Sequence, residues 1–171
     1  KDLYKIILDS AQTSSMIFFI IANAMLFAHF LTDEQIPQHI TQMILEANVG
    51  PLMFLLIINI LLLFMGQFME PSSVVMITVP LLLPIGMALG IDPIHLGVIM
   101  VVNMEIGMLT PPVGLNLFVA SGITGLSLKE VIVASIPMTG ILLIGLMLVT
   151  YIPAISLWLP NLMFGLKKVR V

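Results

Sequence analysis

Between Ile94 and Ile123 the chain is apolar enough and long enough to be one helix, yet Pro111 and Pro112 stand side by side within it. Each proline removes a backbone donor, and each ring clashes with the turn before it, so a continuous helix is excluded. Gly107 and Gly114 flank the pair and permit φ values that other residues avoid. The stretch Ile106-Gly-Met-Leu-Thr-Pro-Pro-Val-Gly-Leu-Asn116 therefore divides the run into two halves, Ile94 to Ile106 and Val113 to Ile123.

What the break means depends on the solvent around it. With 60% hydrophobic and 9% charged residues and a mean hydropathy of +1.19, the chain lies far from the soluble norm of roughly 25% charged, and reads as an all-α membrane protein. In a bilayer, freed amides and carbonyls are tolerated only where protein, a cavity or an ion satisfies them. A broken membrane helix is therefore first of all a candidate binding site.

A second interruption has the same form. After Gly50-Pro51 the chain is apolar from Leu52 to Met65, breaks at Gly66-Gln-Phe-Met-Glu-Pro-Ser-Ser73, and resumes from Val74 to Leu89 with Pro80 and Pro84 inside. Two readings fit: two full spans joined by a loop, or a re-entrant hairpin whose polar tip stops part-way across. A tip this short, bounded by apolar sequence on both sides, favours the hairpin.

Around these two elements, Lys1 to Thr13 suits a short amphipathic helix at the membrane surface, and Ser14 to Leu31 suits a spanning helix. Thr32, Asp33 and Glu34 offer turn and N-cap chemistry for an interfacial helix over residues 36–47. Asp92 caps the helix that Pro93 begins, and Ser127 caps another. Val131 to Leu159 is the final span, bent or ended near Pro137, Pro153 and Pro160, with Tyr151 and Trp158 suited to the headgroup belt. Three units follow: 1–49, a scaffold helix with amphipathic arm helices; 50–126, the hairpin and broken helix; 127–171, the last span and a basic tail at Leu166 to Arg170. Lys1, Lys5 and Lys129 balance Lys167, Lys168 and Arg170, so the positive-inside rule gives a tie. A chain beginning at Lys1 is expected to be a fragment or a processed product, and no cleavage pattern follows its first residues.

Several chemistries are excluded. There is no cysteine, and His29, His39 and His95 are scattered, so neither a transition-metal site nor a thiol nucleophile is expected. A net charge of −3 without a basic stripe argues against nucleic acid. The fourteen methionines form no clustered motif and read as packing filler. No Ser-His or paired-Asp constellation supports an intramembrane enzyme. What remains is hard-oxygen chemistry: Ser72, Ser73, Thr110 and Asn116 offer oxygens that a small cation prefers, and half-helix N-termini attract carboxylates. Glu70 and Glu105 are each readable as a ligand or as a structural carboxyl, and Asn103 as a ligand or as interhelical glue.

Gly66-Gln-Phe-Met-Glu-Pro-Ser-Ser73, Pro80-Leu-Leu-Leu-Pro-Ile85, Gly90-Ile-Asp-Pro93, Asn103 and Gly107-Met-Leu-Thr-Pro-Pro-Val-Gly114, in this order, resemble the C-terminal half of the large membrane subunit of tripartite ATP-independent periplasmic (TRAP) transporters. The resemblance implies one half of an inverted-repeat, elevator-type transporter in the bacterial inner membrane, crossing it several times. It implies Na⁺-coupled import of organic acids of the C4-dicarboxylate or sialic acid type, with a proton-coupled carrier or passive channel as the alternative. The implied partners are the N-terminal half of the same subunit, a small membrane subunit and a periplasmic binding protein. Na⁺ is the coupling ion, with no other cofactor. Carried onto this chain, the Na⁺ site draws on Gly66, Glu70, Ser72, Ser73, Gly107, Thr110, Pro111 and Gly114, and the substrate site on Ser73, Asn103, Pro112 and Asn116. The resemblance also places residue 1 on the cytoplasmic side and opens the hairpin to the periplasm, with residues 36–47 bracing the moving part.

Overall fold

The computed structural model describes residues 2–164, and these are helical throughout apart from short connections. The first helix, α1 (Asp2–Asp33), is continuous, so the expected division into a surface helix and a span near residue 13 is not observed. The reason is local: no glycine or proline occurs before Pro37, and nothing interrupts the ladder. At about 1.5 Å per residue α1 is about 48 Å long, more than the roughly 30 Å of a hydrocarbon core. The cap expected at Asp33 is also corrected. Asp33 closes the last turn of α1, with His29 Nε2 3.5 Å from its carboxylate, and the chain reverses at Gln35 with φ +52°. Then follows α2 (Ile36–Glu46), ended by Asn48, also at φ +52°.

Next comes a helical pair, α3 (Pro51–Gly66) and α4 (Pro71–Ala88), each starting on a proline that needs no intrahelical donor. Pro80 and Pro84 lie inside α4 and do not end it. Asp92 then caps α5 (Pro93–Gly107), accepting from the amides of Ile94 at 2.8 Å and His95 at 3.3 Å as its position predicts. Beyond the double proline runs α6 (Leu115–Thr124), ended by Gly125 at φ +74°.

The last expected span is two helices, α7 (Leu128–Tyr151) and α8 (Pro153–Phe164), separated by Ile152, which leaves the helical region at φ −121° and ψ 83°. A residue before proline is driven from the helical region, which explains a break at Ile152, whereas α7 continues through Pro137 and α8 through Pro160. Ser127 caps α7 in a reciprocal capping box with Glu130. The basic tail from Leu166 to Arg170 lies outside the described residues.

The core is built on α5, which packs against α3, α4, α7 and α8, while α1 and α2 lie against α4. Ile58 and Leu62 from α3, Val74 and Ile85 from α4, and Leu96, Ile99 and Met104 from α5 interdigitate there, all essentially inaccessible. Outside this centre the surface remains apolar: Phe18, Phe19, Ile60, Ile141 and Trp158 are exposed. Water would disfavour such a surface, whereas hydrocarbon or further protein matches it. Among the described residues α4 and α7 are long and apolar enough to cross a membrane, and α3, α5 and α6 are shorter apolar helices.

Candidate functional site

The two interruptions meet. The ends of α3 and α5 approach so closely that a Cβ built on Gly107 would lie 2.7 Å from the Cα and carbonyl carbon of Gly66, a contact that only glycine at 107 allows. The beginnings of the same helices, Pro51 and Asp92, line one cavity of about 540 Å³ together with Leu55, His95 and Thr150. Helices α3 and α5 are therefore parallel and packed directly on each other, with α4 running back beside them, and the hairpin tip and the break share one end of the core.

The backbone at the break finds new partners for what proline removes. In a continuing helix the carbonyls of Gly107 and Met108 would bond to residues 111 and 112, both prolines. Instead Gly107 accepts from the Thr110 amide at 3.0 Å, and Met108 accepts from the Asn116 amide at 3.2 Å. The Gly114 amide, which would have served the Thr110 carbonyl, turns to the Gln67 carbonyl of the hairpin tip at 3.2 Å. That bond ties tip to break and leaves the Thr110 carbonyl without its helical donor. Gly114 takes φ +56° at the start of α6, and a Cβ there would lie 2.8 Å from Leu117 Cδ1 and 3.0 Å from the Thr110 oxygen.

Side chains complete the picture. The Thr110 hydroxyl donates to the Ile106 carbonyl at 2.7 Å. Across the tip Glu70 is the N-cap of α4; its carboxylate accepts from the Ser72 amide at 3.3 Å, the Ser73 hydroxyl at 3.0 Å and the Ser72 hydroxyl. Thus Glu70 is exposed and held at the head of α4, while Ser72, Ser73, Thr110 and Asn116 are half-buried. Pro111 and Pro112 form an exposed rim, and Glu105 is also exposed. Of the residues singled out from sequence, Gly66, Gly107 and Gly114 form the buried floor of this junction.

Asn103 stands apart from the rest. It is fully buried one turn before Gly107, and both hydrogens of its Nδ2 are engaged, by Asn59 Oδ1 at 2.7 Å and by the Ile99 carbonyl at 2.8 Å. Asn59 in turn donates to the Thr150 hydroxyl at 2.9 Å. The Thr150 carbonyl lies 3.2 Å from His95 Nε2, and His95 Nδ1 is 2.5 Å from the Ser156 hydroxyl. A carbonyl can only accept, so Nε2 carries the proton. Sequence reasoning missed this buried chain through α3, α5, α7 and α8. Its signal was available: Asn59 is the lone polar side chain of α3, and Thr150 follows the apolar run 140–149 of α7. Among the described residues no cluster of three or more His, Asp and Glu is placed to hold a metal ion.

A family model described as the DctM component of the tripartite ATP-independent periplasmic transporter matches residues 1–155. Among curated proteins, the C4-dicarboxylate TRAP transporter large permease protein of Pseudomonas aeruginosa is 60% identical over 157 residues, covering 92% of this chain and 37% of its own length. The protein of the same description from Vibrio cholerae is 53% identical over 165 residues, covering 96% of this chain and 36% of its own. The sialic acid TRAP transporter large permease protein of Vibrio cholerae is 35% identical over 161 residues, covering 94% and 38%. The chain thus spans little more than a third of the length of each of these three relatives. No solved structure matches it.

Proposed function

The chain belongs to the family of DctM components of TRAP transporters, and from that membership we propose that it supplies one half of the substrate and ion site of a permease importing a C4-dicarboxylate with Na⁺. This is transport rather than catalysis, since the relatives are permeases. C4-dicarboxylate is preferred to sialic acid because relatives described by the former are 60%, 53% and 52% identical and those described by the latter 35% and 31%. The tripartite description implies two further components, here a small membrane subunit and a periplasmic binding protein, in a bacterial inner membrane.

One observation carries the reading: the hairpin tip is seated on the helix break through the Gly66–Gly107 contact and the Gly114–Gln67 hydrogen bond. A cation there would be held by oxygen atoms alone, the Thr110 hydroxyl and carbonyl from the break and the Ser72, Ser73 and Glu70 oxygens from the tip. Such a donor set suits Na⁺. The N-terminus of α6, with Asn116 beside it and Ser73 and Pro112 at the rim, is the place for a substrate carboxylate. Bound cation offsets the repulsion between that carboxylate and Glu70, so each ligand favours the other. This is coupling in its simplest form. The hairpin is read as re-entrant because its first limb, α3, at about 24 Å falls short of a roughly 30 Å core, although α4 by itself is long and apolar enough to cross one. Residues 1–49 then serve as scaffold and brace, and 50–126 as the part that moves in an elevator-like step.

The test is uptake of labelled succinate by proteoliposomes bearing the complete permease assembly and its binding protein, with and without an inward Na⁺ gradient. Thr110→Ala is a clean probe, because the Ile106 carbonyl keeps the Leu109 amide at 3.0 Å when the hydroxyl is gone. Native uptake should require Na⁺, and the variant should need about tenfold more, the equivalent of about 1.4 kcal/mol of lost ligation. Uptake indifferent to Na⁺ would leave a proton-coupled carrier or a passive channel. Na⁺-driven uptake untouched by Thr110→Ala would move the cation elsewhere.

A further inference from the structure

We propose that Asn59 and Asn103 form a register lock between α3 and α5, positioning the hairpin tip on the break, an inference that rests on the proposed site and takes the fully buried Asn103, expected from the resemblance beside the substrate, as a positioning residue instead. The Gly66–Gly107 contact brings two helices together without interlocking side chains. Between α3 and α5 the remaining packing is apolar, from Ile58 and Leu62 against Ile99 and Met104, and dispersion contacts are not directional. Two parallel helices meeting in this way can slide. A slip of one turn, about 5.4 Å, would carry Gly66 past Gly107 and the Gln67 carbonyl away from the Gly114 amide.

The Asn103–Asn59 hydrogen bond, 2.7 Å long, is the one side-chain hydrogen bond between α3 and α5 among the described residues. Its direction is also fixed. Flipping the Asn103 amide would set its oxygen against both the Ile99 carbonyl and Asn59 Oδ1, two acceptors, so Nδ2 must face them. Asn59 must then offer its oxygen to Asn103 and its Nδ2 to the Thr150 hydroxyl, which it does at 2.9 Å. A slipped register would leave buried amides unpaired, which a dry interior penalises heavily. A single buried asparagine fixing helix register is a known use of polar groups in apolar interfaces. Here the fixed register sets the distance between tip and break, and Thr150 extends the restraint to α7. Asn103 Oδ1 is buried with no partner among the described residues, so this arrangement is kept despite an unsatisfied acceptor.

The experiment compares Asn59→Leu, the double variant Asn59→Leu/Asn103→Leu, and Asn103→Ser in the complete permease, by thermal unfolding in detergent and by the half-saturating Na⁺ and succinate concentrations for uptake. The single leucine strands the Asn103 amide and lowers the unfolding midpoint. The double variant removes both partners and regains the native midpoint. Asn103→Ser keeps a donor for the Ile99 carbonyl but loses the link to Asn59 and leaves Asn59 Oδ1 without its donor, so its midpoint also falls. For a register lock, the double variant and Asn103→Ser need at least fivefold more Na⁺ and succinate for half-saturation, with a smaller change in the saturating rate per folded protein. Native half-saturation in either folded variant would overturn the lock. Native uptake that ignores Na⁺ would instead refute the coupling, and the succinate half-saturation would still decide the lock.

Discussion

Adding one methyl group at Gly107 should damage this protein more than at any other helical glycine of α3 or α5, and the coordinates say by how much. The new Cβ would sit 2.7 Å from two backbone carbons of Gly66, whereas carbon atoms in contact prefer about 3.5–4.0 Å. Backbone cannot rotate away as a side-chain tip can, so the end of α5 must retreat by about 1 Å. That retreat stretches the Gly114–Gln67 bond, already 3.2 Å, beyond hydrogen-bond reach. Overpacking costs about 1–3 kcal/mol and the lost bond about 1 kcal/mol, while the higher helix propensity of alanine returns at most about 1 kcal/mol. The net is a loss of about 2 kcal/mol for Gly107→Ala.

Two neighbours calibrate that figure. At Gly66 the nearest atom to an added Cβ is Gly107 Cα at 3.3 Å, so Gly66→Ala should be milder. At Gly97, on an exposed face of α5 with nothing within 4 Å, alanine should stabilise by up to about 1 kcal/mol. Thermal unfolding of the detergent-solubilised permease should therefore rank Gly97→Ala above native, then Gly66→Ala, then Gly107→Ala. Uptake should follow the same order. If Gly107→Ala unfolds and transports like Gly97→Ala, the tip does not rest on the break.

Two further outcomes separate structural from ligand roles. Glu70→Gln keeps an acceptor for the head of α4 but removes the charge, so unfolding should shift by less than about 1 kcal/mol while the half-saturating Na⁺ for uptake rises severalfold; an unchanged Na⁺ dependence would confine Glu70 to capping. Ser127→Ala dismantles the capping box at the start of α7, at a cost of about 1 kcal/mol measured by unfolding, with the Na⁺ and succinate half-saturations unaltered because the whole length of α6 separates this cap from the break; altered half-saturations would tie this cap to the site.

Much of the local architecture was legible in the residues. Asp92 and Ser127 cap the helices their positions predicted, and Pro111–Pro112 breaks the helix it had to break. The mistakes were of the same local kind. The charged start of α1 suggested a separate surface helix, although no residue there can stop a helix, and Asp33 was read as a cap when it ends α1. The run after Val131 was read as one span bent or ended near Pro137, Pro153 and Pro160; the break does fall at Pro153, and only the fold showed that Pro137 and Pro160 interrupt nothing.

The sequence by itself determined the solvent, the helical class and the places where helices start and stop, because these depend on composition and on residues within one turn of each other. Only the tertiary structure decided that Gly66 meets Gly107, that the Gly114 amide serves the hairpin tip, and that Asn59, 44 residues from Asn103 and 91 from Thr150, joins both. The physical reason lies in the helices themselves. A helix such as α3 or α5 is apolar around most of its circumference, so periodicity marks no preferred face. Which residue faces which partner is then set by close packing and by a few buried hydrogen bonds, both of which exist only once the helices have come together.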